Sequence, residues 1–169
     1  MLKKIAIVIM LALPLGAFAQ TLKFGHMNSQ DVILAMPEYE TTQAELVALD
    51  KKYSEELQRT QEEFNRKYKE FQREAETLPA NIAERRQKEL QDMYQRQEQF
   101  QQDAYQGMQE AQNNLMMPIY QKLDDAIKSV GQAEGLIYIF DIVRTQIPYI
   151  NESMSSDVTD KVKAQLGIR

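Results

Sequence analysis

The long middle of the chain, residues 38–129, has apolar positions at helical spacing among residues that favour helices. It is rich in Glu, Gln, Lys, Arg, Ala and Leu and contains one Gly and two Pro. Pro79 interrupts the pattern, because proline lacks the amide hydrogen that a helix interior requires. The sequence therefore predicts two helices, over residues 38–77 and 82–117, joined by a tight turn near residues 78–81.

Two local signals refine this predicted hairpin. Asn81 and Glu84 have the spacing of a capping box, which predicts Asn81 as the cap of the second helix. Pro118 would clash with the carbonyl of Asn114, which predicts a kink there. The arms would reach roughly 60 and 54 Å, which is longer than a globule of this chain length is wide. We expect two matched antiparallel arms that project from a body.

Heptad spacing along both arms indicates a coiled coil with a thin, partly polar seam. In the first arm the repeat comprises Leu57, Phe64, Phe71 and Leu78, with companions Ser54, Gln61, Tyr68 and Ala75. In the second arm it comprises Leu90, Gln97, Ala104 and Ala111, with companions Met93, Phe100 and Gly107. Because packing of an apolar face supplies most of a helix's stability, such arms should be marginally stable and able to splay.

Several large side chains lie off this predicted seam or just before the second proline. They are Tyr53, Tyr94, Tyr105, Met108, Met116 and Met117. One interpretation is that they pad the flanks of the seam or stand singly on the surface. The other is that they form a diffuse lining for unfolded polypeptide, since unbranched Met and amphipathic Tyr adapt to irregular partners. These six are the candidate binding residues.

The β-favouring segments lie at the two ends of the chain. Residues 22–27 predict a short strand, followed by a brief helix through Ala35 that Asn28 or Ser29 caps. Residues 136–142 are nearly continuously apolar, which predicts a strand covered on both faces.

Two further elements are predicted in the tail. Residues 144–150 predict an edge strand, because a proline among them removes one ladder amide. A final helix is predicted over residues 160–166, capped by Asp157 or Thr159 and stopped by Gly167.

These strands make too small a core for one chain. We expect copies of the chain to pool their strands in a shared sheet or barrel, with several hairpins around a cavity. The residues assigned to this body are Leu22, Phe24, Leu136, Ile137, Tyr138, Ile139 and Phe140. The predicted fold class is α+β, a long antiparallel helical hairpin on a small β-body that oligomerisation completes.

The first residues have the pattern of a signal peptide. Two lysines precede an apolar stretch over residues 5–13, and Ala17-Phe18-Ala19 matches a cleavage site. This stretch is too short to span a bilayer, where about twenty apolar residues are needed. We predict a cleaved signal peptide over residues 1–19 and a periplasmic mature protein.

Charge and composition exclude several functional classes. Removing Lys3 and Lys4 from the 20 basic residues leaves 18 against 25 acidic ones, a poor balance for binding nucleic acid. The chain has no Cys and one His, which excludes disulfides, Cys-based zinc sites and cysteine nucleophiles. The sequence contains no glycine-rich phosphate loop. We expect no enzyme activity, metal or cofactor, and a structural strand role for His26.

The order of segments along the chain matches a known arrangement. KFGHMNSQ at 23–30 leads into MPE at 36–38, the charged hairpin contains MPI at 117–119, GLIYIFD follows at 135–141, and SDVT stands at 156–159. Over essentially the whole mature chain, this order resembles the Skp/OmpH family of periplasmic chaperones. The order carries the resemblance, since coiled-coil arms look alike across unrelated proteins.

The resemblance implies a homotrimer with a β-barrel body and three helical tentacles. It implies that unfolded outer-membrane proteins are held, without ATP, between the inner membrane and the assembly machinery, and that there are no catalytic residues. The implied domains are the signal peptide (1–19), the trimerisation body (20–37 and 131–169) and the tentacle (38–130). Well-known members are strongly basic, whereas this chain has a pI of about 5.0. Neither a lipopolysaccharide site nor electrostatic steering of acidic clients is therefore carried over, and membrane contact is left open.

Two functions of different classes stay open at this point. A trimeric holdase would keep several unrelated unfolded membrane β-barrels soluble through many weak contacts. A structural coiled-coil adaptor or spacer of the cell envelope would ignore them and bind one folded partner. The range of partners therefore separates the two functions.

Overall fold

The computed structural model describes residues 22–168, so the predicted signal peptide lies outside the described residues. In chain order the elements are β1 (Phe24–Met27), α1 (Ser29–Ala35), α2 (Pro37–Glu74), α3 (Ala80–Glu134), β2 (Tyr138–Asp141), β3 (Ser155–Asp157) and α4 (Thr159–Gln165). None of the helices within residues 22–168 carries an apolar stretch long enough to cross a bilayer.

The predicted antiparallel hairpin is formed by α2 and α3, which have 38 and 55 residues. At the start of α3, the amides of Ile82 and Ala83 donate to the carbonyl of Pro79 at 2.9 and 3.0 Å. The prediction that Asn81 caps this helix was therefore wrong. Pro79 directly precedes the first helical residue, Ala80, and its own φ of −54° suits the start of a helix. Asn81 therefore lies inside the first turn and cannot be the residue that caps it.

α3 continues through Pro118 to Glu134. The carbonyl of Asn114 loses the amide that a non-proline residue would offer, which weakens an isolated helix at this point. Packing compensates for this loss, because Ile119 and Leu123 directly after the proline are 2% and 0% exposed. One helix therefore serves both as an arm of the hairpin and as a wall of the body.

The three strands form one parallel sheet in the order β2-β1-β3. β1 is central, and Phe24 is level with Tyr138 on one side and Ser155 on the other. Parallel neighbours require long crossover connections, and the helical hairpin is the crossover between β1 and β2.

The tail departs from two predictions. β2 is shorter than the predicted strand over residues 136–142, and residues 144–150 form no strand, so that prediction was wrong. The amide and the hydroxyl of Thr145 both donate to the carbonyl of Asp141, which turns the chain away from the sheet directly after β2. The sheet is completed instead by the short polar strand β3, which the sequence pattern did not indicate.

The core lies between the helices and one face of the sheet. Its buried members are Met27, Val32, Leu123, Ala126, Val130, Val158 and Val162. A second cluster of Met36, Met116 and Ile119 lies at the base of the hairpin. Burying one such side chain contributes about 1.5–3 kcal/mol, so the first cluster holds α3 to the sheet and the second packs the start of α2 against α3.

The short helices α1 and α4 begin and end close to their predicted signals. Asn28 caps α1 as predicted, since its side chain accepts hydrogen bonds from the amides of Gln30 and Asp31. Asp157 Oδ1 accepts from the amide of Thr159 at 2.9 Å, at the start of α4. Gly167, with a φ of +74°, follows the end of that helix.

Candidate functional site

The two arms meet along a seam that was predicted correctly in α3 and partly in α2. In α3 the predicted positions are buried or half-buried. In α2 the inward positions are Thr42, Leu46, Leu49, Tyr53, Leu57, Thr60, Phe64, Lys67 and Phe71. The predicted companions Ser54, Gln61, Tyr68 and Ala75 are exposed, so this half of the register was wrong. The true companion position lies one residue earlier, and the polar residues Thr60 and Lys67 at this position interrupt the apolar repeat.

Tyr53 lies inside this seam, which corrects its prediction as an off-seam residue. Its ring meets Phe100 edge to face, with the ring centroids 6.0 Å apart at an interplanar angle of 65°. Gly107 leaves room for the tyrosine, because a Cβ at this glycine would lie 2.5 Å from Tyr53 Oη. A ligand could contact Tyr53 fully only after the arms separate.

One side of the hairpin is charged. Lys67 of α2 bridges to Glu89 of α3, and Arg86 Nη1 donates to Glu74 Oε2 at 2.6 Å. The hydrogen bond from Lys67, with its charge, holds the pKa of Glu89 below its usual value. A groove of about 310 Å³ lies beside the Lys67–Glu89 pair, and its charged lining residues also include Glu56, Glu63 and Arg96. We define the charged side by Glu56, Glu63, Lys67, Glu74, Arg86, Glu89 and Arg96.

The other side of the hairpin is nearly free of charge. A groove of about 200 Å³ there is lined by Gln61, Phe64, Tyr94, Gln97, Glu98 and Gln101. Helical spacing places Tyr68 one turn beyond Phe64, and Tyr105 one turn beyond Gln101, on the same side. We define the neutral side by Gln61, Phe64, Tyr68, Tyr94, Glu98, Gln101 and Tyr105. Glu98 is the one charged member of this set.

The neutral side combines amides with exposed aromatic rings. Gln97 Nε2 donates to Gln61 Oε1 across the arms at 2.7 Å. The rings of Phe64 and Tyr68 stack with centroids 6.0 Å apart. Tyr94 and Tyr105 are 54% and 66% exposed. A hydrogen bond to Glu98, with the charge of that carboxylate, raises the pKa of Tyr94.

The three predicted methionines lie in different environments. Met116 is 8% exposed and packs with Met36 and Ile119, so it belongs to the core at the hairpin base. Met108 is half-buried beside the seam, whereas Met117 is 53% exposed. Of the six candidate binding residues, the structure places Tyr94 and Tyr105 together on one surface. Phe64 and Tyr68, which the sequence analysis assigned to the seam, join them there.

The sheet has a second, uncovered face. Phe24, Tyr138 and Phe140 point away from the helices, while Gly25, Met27 and Ile139 point toward them. The rings of Phe24 and Tyr138 stack at 6.4 Å, and Tyr138 lies 6.0 Å from Phe140. In the single chain, β2 is therefore covered on one face only. Of the other predicted body residues, Leu22 and Ile137 are exposed, and Leu136 packs against the core.

The segment after β2 extends this uncovered surface. A concave apolar pocket of about 450 Å³ lies between the outer sheet residues and residues 145–154. Tyr149 and Met154 in this segment are 77% and 67% exposed. We define the outer sheet face by Phe24, Tyr138, Phe140, Ile147, Tyr149 and Met154. The sequence analysis placed this segment in the body as an edge strand over residues 144–150, but it did not list Ile147, Tyr149 or Met154 among the body residues.

The polar groups of the sheet have structural partners. His26 Nδ1 lies 2.9 Å from Ser155 Oγ, joining the central strand to β3. Across the part of the chain that the structure describes, no three His, Asp or Glu side chains gather in a metal-binding arrangement.

The chain is a coiled-coil protein with a β-body. A long helical hairpin stands on a small parallel sheet, and the hairpin has one charged side and one neutral side. The family model described as outer membrane protein (OmpH-like) matches residues 23–166, and the chain belongs to this family. Among solved structures, the chain is similar to a candidate outer membrane chaperone (OmpH-like) from Caulobacter crescentus. The TM-score is 0.73 at 19% identity, over 86% of this chain and 83% of that chain. No curated protein matches the sequence. The predicted family and α+β fold class are confirmed.

Proposed function

We propose that the protein is an ATP-independent periplasmic holdase that binds unfolded outer-membrane proteins between the hairpins of a homotrimer. The observation that carries the proposal is a hairpin with a weak polar seam on a body whose outer sheet face is apolar and open. Membership of the OmpH-like family and the likeness to a candidate outer membrane chaperone support it.

The outer sheet face supports association of copies. Tyr138 is 60% exposed and Phe140 42% exposed, on a face with a 450 Å³ apolar pocket. Soluble monomers rarely leave contiguous apolar patches of more than a few hundred Å² in water. Association of copies through this face would bury the rings and set the hairpins around a common space.

The hairpin surface supports binding of unfolded chains. Exposed tyrosines and glutamines offer shallow contacts without a fixed geometry, and each contact contributes little alone. When several arms bind one client, each further contact forms at a high effective concentration, so the client is retained although each contact is weak. Because each contact is also reversible, capture and release need no nucleotide hydrolysis.

Light scattering on the mature protein tests this proposal directly. The protein is measured alone and after mixing with an outer-membrane β-barrel diluted from urea, and the same barrel folded in detergent is the control. We expect a trimer mass for the free protein and a soluble complex with the unfolded barrel only. A monomer that fails to keep the unfolded barrel soluble, or a complex with one folded envelope protein alone, would support the adaptor function instead.

A further inference from the structure

We propose that the neutral side of the hairpin is the surface that contacts the client, and that the charged side faces away from it. This inference rests on the proposed function and names the binding surface within it. The client chemistry that it selects is an uncharged stretch of unfolded polypeptide, rich in peptide groups and aromatic or aliphatic side chains.

The division of the two sides extends over several turns of the hairpin near its tip. On α3, Gln87, Tyr94 and Gln101 follow one another at seven-residue intervals along the neutral side. On the opposite flank of the seam, Glu89 and Arg96 repeat at the same interval. A client lying along this stretch of α3 would therefore meet mainly amides and aromatic rings on the neutral side, with Glu98 as the one charged group of the defined set.

Five of the seven charges that define the charged side are already paired with one another. Lys67 binds Glu89 and lies 4.0 Å from Glu63, and Arg86 binds Glu74. An uncharged client that covered these groups would remove water from them without offering replacement partners, which costs free energy. The pairs hold the arms together and make this side a poor surface for apolar segments.

The neutral side, in contrast, offers groups that can bind an uncharged client. Glutamine amides both donate and accept hydrogen bonds, so they can bind peptide groups in either direction and in any register. The exposed rings of Tyr94 and Tyr105 offer apolar area with a hydroxyl at the edge. Unfolded membrane β-barrels carry many apolar and aromatic side chains between their peptide groups, and this surface suits them regardless of the acidic net charge of the chain.

Site-specific photocrosslinking tests which side the client touches. A benzophenone amino acid replaces Tyr68, Tyr94 or Tyr105 on the neutral side, or Arg59, Arg96 or Asp103 on the other flank. Each variant is mixed with a urea-unfolded outer-membrane β-barrel, and light scattering on the same samples reports whether the client is held. We expect at least about fivefold more crosslinking from the neutral side.

A matched pair of charge variants gives an independent readout. Gln87→Glu with Gln101→Glu adds two carboxylates to the neutral side. Gln95→Glu with Gln106→Glu adds two carboxylates to the side of α3 that faces away from α2. The first variant should weaken client affinity at least about tenfold at low salt, and the second should leave it within about twofold. Circular dichroism establishes that both variants keep their helix content.

The outcomes separate this inference from the proposed function. If clients are held but crosslink equally from both sides, the inference is overturned and the holdase function stays intact. The same holds if the second charge variant loses more client affinity than the first. If no variant, including the parent protein, keeps the unfolded barrel soluble, the proposed function and the inference both fail.

Discussion

Single residues tie together segments of the body that are far apart in the chain, and Asp141 is the clearest example. Its Oδ1 accepts hydrogen bonds from the amide of Ser29 at 3.3 Å and the amide of Val143 at 3.1 Å. Burial is the largest influence on its pKa and acts to raise it, but the hydrogen bonds from Ser29, Val143 and Arg144 together outweigh burial, so the pKa is lowered. One carboxylate thus joins the end of β2 to the start of α1.

The first prediction concerns the pH dependence that Asp141 confers. A carboxyl whose folded pKa lies below its ordinary value of 3.8 stabilises the fold above that pH, and the stabilisation is lost as the pH falls through the folded value. Asp141→Asn should lower the free energy of unfolding by about 1 kcal/mol at pH 7. The difference between variant and parent should shrink in acid.

Urea denaturation at pH 7 and in steps down to about pH 3 measures this difference. Glu152→Gln, which changes an exposed carboxylate in the segment after β2, is the control and should leave stability within about 0.5 kcal/mol. A constant difference across the pH range would contradict the assigned role of the charge.

A second prediction concerns the contact between Tyr53 and Gly107. Gly→Ala in a helix interior normally stabilises by up to about 1 kcal/mol. Here the added Cβ would lie 2.5 Å from Tyr53 Oη, so the tyrosine must move. Gly107→Ala should therefore stabilise the Tyr53→Phe background more than the parent, with a coupling of at least about 0.5 kcal/mol.

Thermal and urea unfolding of the four proteins in this cycle measure the coupling. Additive effects of the two substitutions would show that the arms do not approach as closely at Gly107 as described.

At the scale of elements, the hairpin is held differently along its length. Near the body, Thr42 and Leu46 of α2 are buried. Toward the turn, the seam contains Thr60 and Lys67, and the arms are joined by hydrogen bonds and ion pairs. Exposed ion pairs contribute less than about 1 kcal/mol each and weaken with salt. The distal arms should therefore open more easily than the proximal ones.

The third prediction tests this distal pairing. Lys67→Glu puts a third carboxylate beside Glu63 and Glu89, so repulsion should broaden and lengthen the distance between the arms near the turn. Because the chain has no cysteine, spin labels attached through Gln72→Cys and Gln91→Cys report that distance by pulsed electron resonance.

The reversed pair, Lys67→Glu with Glu89→Lys, is the control and should recover much of the parent distance. High salt should reduce the difference between the variants. If Lys67→Glu leaves the low-salt distance unchanged, the ion pair does not hold the arms.

At the scale of the whole molecule, the proposed function requires the outer sheet face to join copies of the chain, so that the hairpins act together. The core on the other face of the sheet is complete in one chain, with Val32, Leu123 and Val158 fully buried. A subunit can therefore fold its inner core and still leave the outer rings uncovered. This separation makes it possible to test association without unfolding the subunit.

The fourth prediction follows from this separation. Phe140→Asp places a charge on the outer sheet face and should reduce the solution mass from trimer to monomer, with retained helix content and weaker client retention. Val47→Asp, at a 68% exposed position on α2, is the control and should keep the trimer. Multi-angle light scattering distinguishes the two masses, and a trimer in both variants would place the interface elsewhere.

Much of the architecture is local and could be read from the chain. The hairpin follows from helix formers on both sides of Pro79, and β2 follows from a β-favouring run after Gly135. The candidate surface was only partly predictable. Tyr94 and Tyr105 were identified by their size and spacing, but their grouping with Phe64 and Tyr68 required the pairing of the two arms.

The sequence by itself determined the four helices, the strands β1 and β2, where the hairpin turns, and that the chain has no cysteine chemistry, because propensity, proline and composition act on each segment alone. Only the tertiary structure decided that Tyr53 packs inside the seam, that Met116 is core, that Ser155–Asp157 completes the sheet, and that the hairpin has a neutral and a charged side. Each of these depends on contacts between residues far apart along the chain. Such contacts fix one pairing register among several that the local spacing of apolar residues allows equally well.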